Sequence, residues 1–338
     1  MIIHEIWFIV LAFMLAGYAV LDGFDLGVGA LHLFVGRDTT ERGHAIDAIG
    51  PVWNGNEVWL LAAGGAMVVA FPSVYAASFS GFYLALMLVL WLLLLRGISI
   101  EFRHQVDNPL WYEIWDVVFW IASALLAVLF GVALGNVLRG VPLDAEGTFQ
   151  GSFGLLLNPF AVLGGLLSLA VLSLHGAAWL ALKTDGTLQG RAHRAIGPLW
   201  WVALALVAAM VVASFVVRPD FASNFTRWPL LLLFPVAGVG AAAWMRLAWA
   251  RQDRTRTFLA SASLIASILA SVAAGLFPKL LPSRPGSPHP GLDIYNAASP
   301  PGSMTTALAI YVVGMLLVAL YLVKIYRVWA GKSQPYHV

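Results

Sequence analysis

The chain has 338 residues, of which 60% are hydrophobic and only 11% are charged, with a mean hydropathy of +0.84 and a formal net charge of +2. Soluble domains carry about 25% charged residues, so this chain is too apolar for a water-soluble core and is predicted to be an integral membrane protein. The absence of cysteine excludes disulfides, thiolate-bound iron–sulfur clusters and a cysteine nucleophile, and the scattered basic residues form no patch that would indicate nucleic-acid binding.

Apolar runs bounded by charged or turn residues predict about nine transmembrane helices. The first run lacks a basic n-region and a small-residue cleavage site, so we predict that it is retained as a helix. The predicted fold is an all-α polytopic membrane protein, with one integral membrane domain over residues 1–338. The predicted spans lie near residues 6–35, 52–71, 78–96, 112–136, 158–182, 196–217, 228–248, 257–277 and 304–328.

The Lys and Arg residues are distributed unevenly between the two sides of this topology. About three-quarters of the 19 basic residues follow odd-numbered spans. Short cytoplasmic loops are enriched in Lys and Arg. We therefore predict a multi-pass membrane protein with the N-terminus outside and the C-terminus at Val338 in the cytoplasm.

Two carboxylates interrupt the first apolar run, in the stretch GYAVLDGFDLGVG at residues 17–29. A charged residue at the centre of a membrane helix costs roughly 2.5–3.5 kcal/mol on insertion scales, so such residues indicate a functional site. Asp22 and Asp25 are three residues apart and share one helix face, while Gly23 and Gly27 permit close approach of another helix. The alternative is that the acids only hold helices together through hydrogen bonds.

His32 lies seven residues after Asp25, on nearly the same face and near the charged loop that begins at Arg37. In the predicted orientation this loop is cytoplasmic. A line of titratable groups from the loop into the membrane is what proton uptake from the cytoplasm would need.

The second span opens with the polar sequence WNGNEVW at residues 53–59. Helices joined by a short loop commonly pack together, so we expect Asp22, Asp25, Asn54 and Glu57 to share one buried polar region. The alternative for Glu57 is a first-turn acid that interacts with the helix dipole.

Two further polar residues lie within predicted spans. Asp116 is near the predicted cytoplasmic end of the fourth span, which favours an interfacial position. His175 is the one histidine deep in a span; it is either a haem ligand or a hydrogen-bonded packing residue, and a second deep histidine for a bis-His haem is missing from the sequence.

Two similar segments indicate an internal duplication. AIGPVW at residues 48–53 opens the second predicted span, and AIGPLW at residues 195–200 opens the sixth. Four spans separate them, which predicts two parallel four-helix units, over 1–136 and 158–277, with 304–328 as a ninth helix outside the repeat. The alternative is a chance likeness, because Gly-Pro is favoured at helix starts.

Several motifs, spread in order over nearly the whole chain, resemble subunit II of the cytochrome bd-type quinol oxidases. They are GYAVLDGFDLGVG at 17–29, WNGNEVWL at 53–60, FPSVYA at 71–76, FSGFY at 79–83, GVALGN at 131–136, LNPF at 157–160, LFP at 276–278 and IYNAAS at 294–299.

This resemblance implies a nine-helix, haem-free subunit that pairs by pseudo-twofold symmetry with a separate subunit I. Subunit I then holds the haems b and d and binds quinol, and this chain ligates no cofactor or metal. The complex would oxidise quinol from the membrane pool, reduce dioxygen to water and take protons from the cytoplasm without pumping. Subunit II would support assembly and proton delivery, with Asp22, Asp25, His32, Asn54 and Glu57 as candidates.

The resemblance also allows for a structural quinone or lipid in this subunit and for a further small single-helix subunit. Some members carry Asp where this chain has Asn54, at a position implicated in a proton path. An amide cannot exchange a proton as a carboxylate does, so the path would rely here on Glu57 or on water.

The rival interpretation is a proton-coupled secondary transporter, because parallel repeats and buried acids suit both functions. A transporter would show helices broken near the membrane midplane in both halves. Most prolines here lie at the ends of predicted spans, apart from Pro235, which favours the oxidase subunit.

Overall fold

The computed structural model describes residues 2–333, which are almost entirely helical. The elements in chain order are α1 (Ile2–Val35), α2 (Thr39–Asp47), α3 (Trp53–Ala70), α4 (Pro72–Gly81), α5 (Tyr83–Phe102), α6 (Pro109–Arg139), α7 (Phe153–Leu156), α8 (Pro159–Lys183), α9 (Gly186–Val217), α10 (Ser223–Arg227), α11 (Leu233–Ala250), α12 (Arg254–Leu276), β1 (Lys279–Pro282), β2 (Gly291–Asp293) and α13 (Pro301–Val328).

Eight helical segments of the described chain are long and apolar enough to cross a membrane, which confirms the all-α membrane fold. They are α1, α5, α6, α8, α9, the segment Pro229–Ala250 that contains α11, α12 and α13. The predicted span near 52–71 corresponds to α3, which is not among the eight. Its hydropathy is lowered by polar residues in the first turns, namely Asn54, Asn56 and Glu57. Of the roughly nine predicted spans, eight therefore match long apolar helices, and the remaining one is α3, which has a polar end.

Helix α1 lies at the centre of the bundle and packs against α3, α6, α8 and α12. Its crossing with α8 is close because glycines meet there. A Cβ on Gly27 would overlap the backbone of Leu172, and a Cβ on Gly176 would overlap the backbone of Gly27. Small residues allow such close backbone approach in membrane bundles. The prediction that Gly23 and Gly27 admit another helix is therefore confirmed, with α8 as that helix.

The two ends of the bundle differ in structure. At one end, which we call the basic end, α1 ends at Val35 and α13 ends at Val328. At the other end, which we call the hairpin end, β1 and β2 form an antiparallel hairpin in the loop between α12 and α13. Ser299, which follows the hairpin, donates from its backbone N–H to the carbonyl of Ala70 at 2.9 Å, so this loop is tied to the end of α3.

Helix α9 begins earlier than the sequence predicts. The predicted start near 196 follows from the charged residues Arg191 and Arg194 before the apolar run, but α9 runs continuously from Gly186 and contains Pro198 inside it. Proline lacks the N–H of the i to i−4 hydrogen bond, and the extra turns before it are retained by packing, because Leu188, Ala192 and Ile196 are all buried. The proposed division into units 1–136 and 158–277 stays a prediction.

The last helix, α13, is attached mainly near its two ends. Met304 is its one buried residue among those described, and the indole Nε1 of Trp7 donates to the carbonyl of Met304 at 3.1 Å. Much of the rest of α13 presents exposed side chains such as Ile310, Leu317 and Leu320. An unpacked apolar helix of this kind faces either lipid or another protein.

Residues 329–333, which we call the C-terminal clasp, secure α13 at the basic end. The Lys183 ammonium, on the last residue of α8, donates to the carbonyl of Trp329 at 2.6 Å. In return, the Lys332 ammonium donates to the carbonyl of Leu182 at 2.7 Å. Lysine at a helix C-terminus satisfies carbonyls that have no partner within the helix. Each of the two helices is thus capped by a lysine at the end of the other.

Candidate functional site

A cluster of polar side chains lies inside the bundle between α1, α3, α5 and α13, and we call it the acid cluster. Its members come from four helices that are distant in sequence but packed together. They are Asp22, Asp25, Asn56, Glu57, Arg96 and Tyr326.

Arg96 binds two of the three carboxyls. Its Nη2 lies 2.8 Å from Asp22 Oδ1, and the same nitrogen contacts Glu57. The Arg96 and Asp22 side chains are fully buried, whereas the Glu57 side chain is 23% exposed. Glu57 is thus an ion-pair partner at the edge of the cluster, and the helix-dipole alternative is not needed to account for it.

Arg96 is not among the residues that the sequence predicts for this site, because the predicted span 78–96 ends there. In the structure, α5 continues to Phe102. The sequence after Arg96 could have placed it inside a helix, because the next turn carries no charge. That turn is Gly97, Ile98, Ser99 and Ile100. A cation that is followed by another apolar turn lies inside the helix rather than at its end.

Asp25 is held by an amide instead of a cation. Asn56 Nδ2 donates to Asp25 Oδ2 at 2.8 Å and to the backbone carbonyl of Leu21 at 3.1 Å. The Tyr326 hydroxyl, on α13, donates to Asn56 Oδ1 at 3.0 Å. Asp25 and Asn56 are both fully buried.

The charges in this cluster do not balance. Three carboxyls share the single guanidinium of Arg96, and burial of a charge without a partner is costly. Within the described part of the chain, several buried polar atoms also have no protein hydrogen-bond partner, among them Asp25 Oδ1, Arg96 Nε and the Tyr18 hydroxyl. Buried polar atoms of this kind are commonly satisfied by internal water. The cluster therefore has carboxyls that can accept protons and open polar atoms that can bind water.

Asn54 does not belong to the buried region, contrary to the prediction. Its side chain is exposed, and Asn56 occupies the buried position. The reason is helical periodicity. Asn56 shares the inward face of α3 with Ala63, Ala66 and Ala70, whereas Asn54 lies two residues away on another face. The small-residue pattern at these spacings could have identified Asn56 from the sequence.

His32 belongs to a second group of charges, nearer the basic end, which we call the Asp116 cluster. His32 Nε2 lies 2.7 Å from Asp116 Oδ1, and Arg103 Nε donates to the same oxygen at 2.6 Å. Arg42 Nη1 lies 3.6 Å from Asp116 Oδ2. The Asp116 side chain is 1% exposed, and the guanidinium of Arg103 allows the carboxylate to be buried in the bundle; its position at the membrane interface stays a prediction.

The two clusters are separated along α1. Asp25 and His32 are seven residues apart, which is about 10 Å along a helix. Ser123 of α6 packs against Gly29 between them, and its hydroxyl is buried without a protein partner. The predicted line of titratable groups is thus two groups of charges with one hydroxyl between them.

His175 is engaged in packing through both ring nitrogens. Its Nδ1 lies 2.6 Å from Ser261 Oγ, and its Nε2 lies 3.0 Å from the carbonyl of Val20. The imidazole also stacks on Phe258 at 4.8 Å between ring centroids. This geometry confirms the hydrogen-bonded packing interpretation and leaves neither ring nitrogen free to ligate a haem.

A salt bridge braces the loops at the basic end. Glu41 of α2 contacts Arg191, near the start of α9, and Thr187 Oγ1 donates to Glu41 Oε1 at 2.5 Å. The hydrogen bond from Arg191 lowers the pKa of Glu41 to about 2, and the bond from Thr187 acts in the same direction. Glu41 lies outside the membrane-spanning helices and is ionised at neutral pH.

An apolar groove runs along the hairpin half of α13. Trp7 of α1, Ala66 and Val69 of α3, and Thr306 and Ile310 of α13 line it. It is apolar and open to the side of the bundle, as a site for a lipid or isoprenoid chain would be.

Comparison with known proteins extends these findings. Residues 3–329 match the family "Cytochrome bd terminal oxidase subunit II". The "Probable cytochrome oxidase subunit 2" of Haemophilus influenzae is 37% identical over 97% of this chain and 94% of its own length. The "Cytochrome bd-I ubiquinol oxidase subunit 2" of Escherichia coli K12 is 33% identical, over 95% of this chain and 92% of its own length.

The fold agrees with the sequence matches. A chain in the structure of bd oxidase from Geobacillus thermodenitrificans superimposes with a TM-score of 0.81, covering 98% of this chain and 99% of that chain at 17% identity. A further relative, the "Cytochrome bd ubiquinol oxidase subunit 2" of Bacillus subtilis, is 33% identical over 88% of this chain and 87% of its own length. The chain belongs to the cytochrome bd terminal oxidase subunit II family.

Proposed function

We propose that this chain is the haem-free subunit of a quinol:dioxygen oxidoreductase in a bacterial cytoplasmic membrane, and that its acid cluster supports delivery of protons to the oxygen-reducing site of subunit I. Membership of the family supports the partnership with subunit I, and the relatives named for ubiquinol support a quinol as the electron donor. The family match favours this function over a proton-coupled transporter.

The observation that carries the proposal is the excess of carboxyls in the membrane interior. Asp22 and Glu57 share one guanidinium, and Asp25 is held by an amide and has a buried oxygen without a partner among residues 2–333. A purely structural cluster would gain stability from balanced charges, since an unpaired buried charge destabilises the fold. Reduction of dioxygen to water consumes protons that must cross low-dielectric protein, and carboxyls that can take up and release protons serve that need.

The path would begin at the basic end, which the distribution of Lys and Arg assigns to the cytoplasm. His32 and the Asp116 cluster lie nearest that end, and Ser123 lies between them and Asp25. Glu57 is partly exposed at the edge of the acid cluster, where it would exchange protons with water or with the partner subunit. Asn54, on the exposed face of α3, would contribute to contact with a partner and not to the buried path.

Assembly with subunit I forms the second part of the proposal. Helix α13 exposes apolar side chains over most of its length, and α3 exposes Asn54 beside them in an otherwise apolar membrane environment. The groove that Trp7 and Ile310 line would hold a structural quinone or lipid. The haems b and d would be bound by subunit I, where quinol oxidation and oxygen reduction take place.

The test uses the whole oxidase complex with Asp22→Asn, Asp25→Asn and Glu57→Gln, one at a time. These amides keep the shape of each side chain and remove the exchangeable proton. If the acids conduct protons, the variants will assemble with normal haem content and reduce oxygen more slowly. Haem content and assembly that fall together would make the acids structural, and full turnover in all three variants would contradict the proton path.

The orientation has its own test. Reporter fusions at Val338 should be active only in the cytoplasmic format. The opposite pattern would reverse the side of proton uptake.

A further inference from the structure

The amide of Asn56 uses all of its hydrogen-bonding groups. Its two N–H groups donate to Asp25 Oδ2 and to the carbonyl of Leu21, at 2.8 and 3.1 Å. Its oxygen accepts from the Tyr326 hydroxyl at 3.0 Å. An amide rotated by half a turn would set its oxygen against the Leu21 carbonyl oxygen, and two acceptors do not bond. The amide is thus fixed in one orientation.

The two carboxyl oxygens of Asp25 have different surroundings. Oδ2 accepts a hydrogen bond from Asn56, whereas Oδ1 is buried and has no partner among residues 2–333. The Arg96 guanidinium is directed to Asp22 and Glu57, so no cation occupies Oδ1. Of the two oxygens, only Oδ1 is free to take a proton or a water molecule.

Tyr326 is itself held firmly in place. Its ring packs edge-on against Trp179 of α8, with centroids 6.4 Å apart and an interplanar angle of 78°. The Trp179 indole donates to the carbonyl of Ala48 at 3.0 Å. Three residues after Tyr326, the C-terminal clasp begins and caps α8. Tyr326 therefore reaches Asn56 from a helix end whose position is fixed on α8.

We infer that Asn56 and Tyr326 are positioning residues for Asp25: together they hold its Oδ2, so that Oδ1 is the oxygen that exchanges protons. The last helix thereby sets the geometry of an acid on the first helix. The inference rests on the proposed function in that Asp25 must exchange protons. Asn56 does not itself relay a proton, because an amide between two partners holds its N–H groups.

The experiment compares Tyr326→Phe, Asn56→Ala and the double variant in the assembled oxidase complex. Tyr326→Phe removes the hydroxyl and keeps the ring that packs on Trp179. The matched control is Tyr321→Phe, on the same helix, whose side chain is 49% exposed. Infrared spectra of complex with ¹³C-labelled aspartate identify the Asp25 band, protonated or ionised, as the one that Asp25→Asn removes.

We expect Tyr326→Phe to shift the Asp25 band and to lower oxygen turnover by about threefold to tenfold, the range for loss of one buried hydrogen bond. Tyr321→Phe should change neither. The double variant should be no slower than Asn56→Ala alone, because both residues act on one oxygen of Asp25. If Tyr326→Phe fails to assemble, 3-fluorotyrosine at position 326 keeps the hydroxyl and strengthens it as a donor to Asn56, because fluorine makes the phenol more acidic, and it should shift the same band.

The outcomes separate the inference from the proposed function. If the Asp25 band and the oxygen turnover of Tyr326→Phe equal those of Tyr321→Phe, the inference is overturned. This holds even if Asp25→Asn turns over slowly and the proton path stands. A shifted band without a change in turnover would also overturn it, because the positioning would then serve no exchange. Full turnover in Asp25→Asn would overturn the proposed function itself.

Discussion

The acid cluster and the Asp116 cluster both bury carboxylates in a membrane bundle, yet their bonding differs. Asp116 contacts His32 Nε2 at 2.7 Å and Arg103 Nε at 2.6 Å, with Arg42 at 3.6 Å. Asp25 has a single side-chain partner, the neutral amide of Asn56 at 2.8 Å. One carboxylate is surrounded by cations, and the other keeps an oxygen free.

This difference separates two uses of a buried acid. A carboxylate with two guanidinium groups near it forms ion pairs that join elements, in this case α1, α5 and α6. A carboxylate with an amide partner and a free oxygen can gain and lose a proton without breaking an ion pair. Burial alone therefore does not mark an acid of the proposed proton path; by this comparison Asp25, which is held by an amide, is a stronger candidate than Asp22 or Glu57, which pair with Arg96.

The largest effect should follow from removing the acid of the Asp116 cluster. Asp116→Asn leaves the Arg103 guanidinium buried without its carboxylate, and breaking a buried pair in this way costs about 3–5 kcal/mol. We expect little or no assembled complex, measured as haem-containing oxidase recovered from membranes. The control is Asp107→Asn, in the exposed loop before α6. Normal recovery of Asp116→Asn would remove the distinction between the clusters.

A smaller effect should separate the two amides of α3. Asn56→Asp places a carboxylate 2.8 Å from Asp25 Oδ2 and against the Leu21 carbonyl, which should destabilise the complex by about 1–3 kcal/mol. Asn54→Asp, on the exposed face of α3, places no second carboxylate against Asp25 or the Leu21 carbonyl and should destabilise the complex less than Asn56→Asp does. Thermal inactivation of the two variants measures this difference. Equal losses would show that the faces of α3 are assigned wrongly.

The smallest effect concerns the brace at the basic end, which depends on pH. The pKa of Glu41 is about 2 in the folded chain, below its ordinary value, because Arg191 donates to its carboxylate. A lowered folded pKa stabilises the fold fully above the ordinary value of about 4.5 and progressively less as the pH falls towards 2. Glu41→Gln should therefore lower the stability of the complex at pH 7 by about 1 kcal/mol, which is measured as faster thermal inactivation than that of the parent.

The difference between parent and Glu41→Gln should narrow below about pH 4.5. Glu146→Gln, an exposed acid near the hairpin end, serves as the control. A difference that stays constant from pH 7 to pH 3 would show that Glu41 does not act through its charge.

The fold and part of the site follow from local sequence patterns. The length of the apolar runs predicts the long helices, and the pair Gly23 and Gly27 predicts the close helix crossing near the two acids. Both predictions succeed because they depend on residues that are near each other in sequence. The same holds for the acids themselves, since a carboxylate in an apolar run is visible without tertiary information.

The partners of those acids could not be predicted in the same way. Arg96 and Tyr326 reach the acid cluster from helices that follow Asp25 by about 70 and 300 residues, and one sequence does not say which helix faces meet. The faces of α3 were predictable, because Ala63, Ala66 and Ala70 mark the inward side. That periodicity would have selected Asn56 in place of Asn54.

Proton uptake during a single reaction with oxygen tests the account most directly. The reduced complex carrying Asp25→Asn, with normal haem content, is mixed with oxygen in the presence of a pH indicator. We expect steps that need no proton to proceed at the parental rate and proton uptake to slow by about tenfold or more. Proton uptake at the parental rate in this variant would contradict the assignment of Asp25 to the proton path.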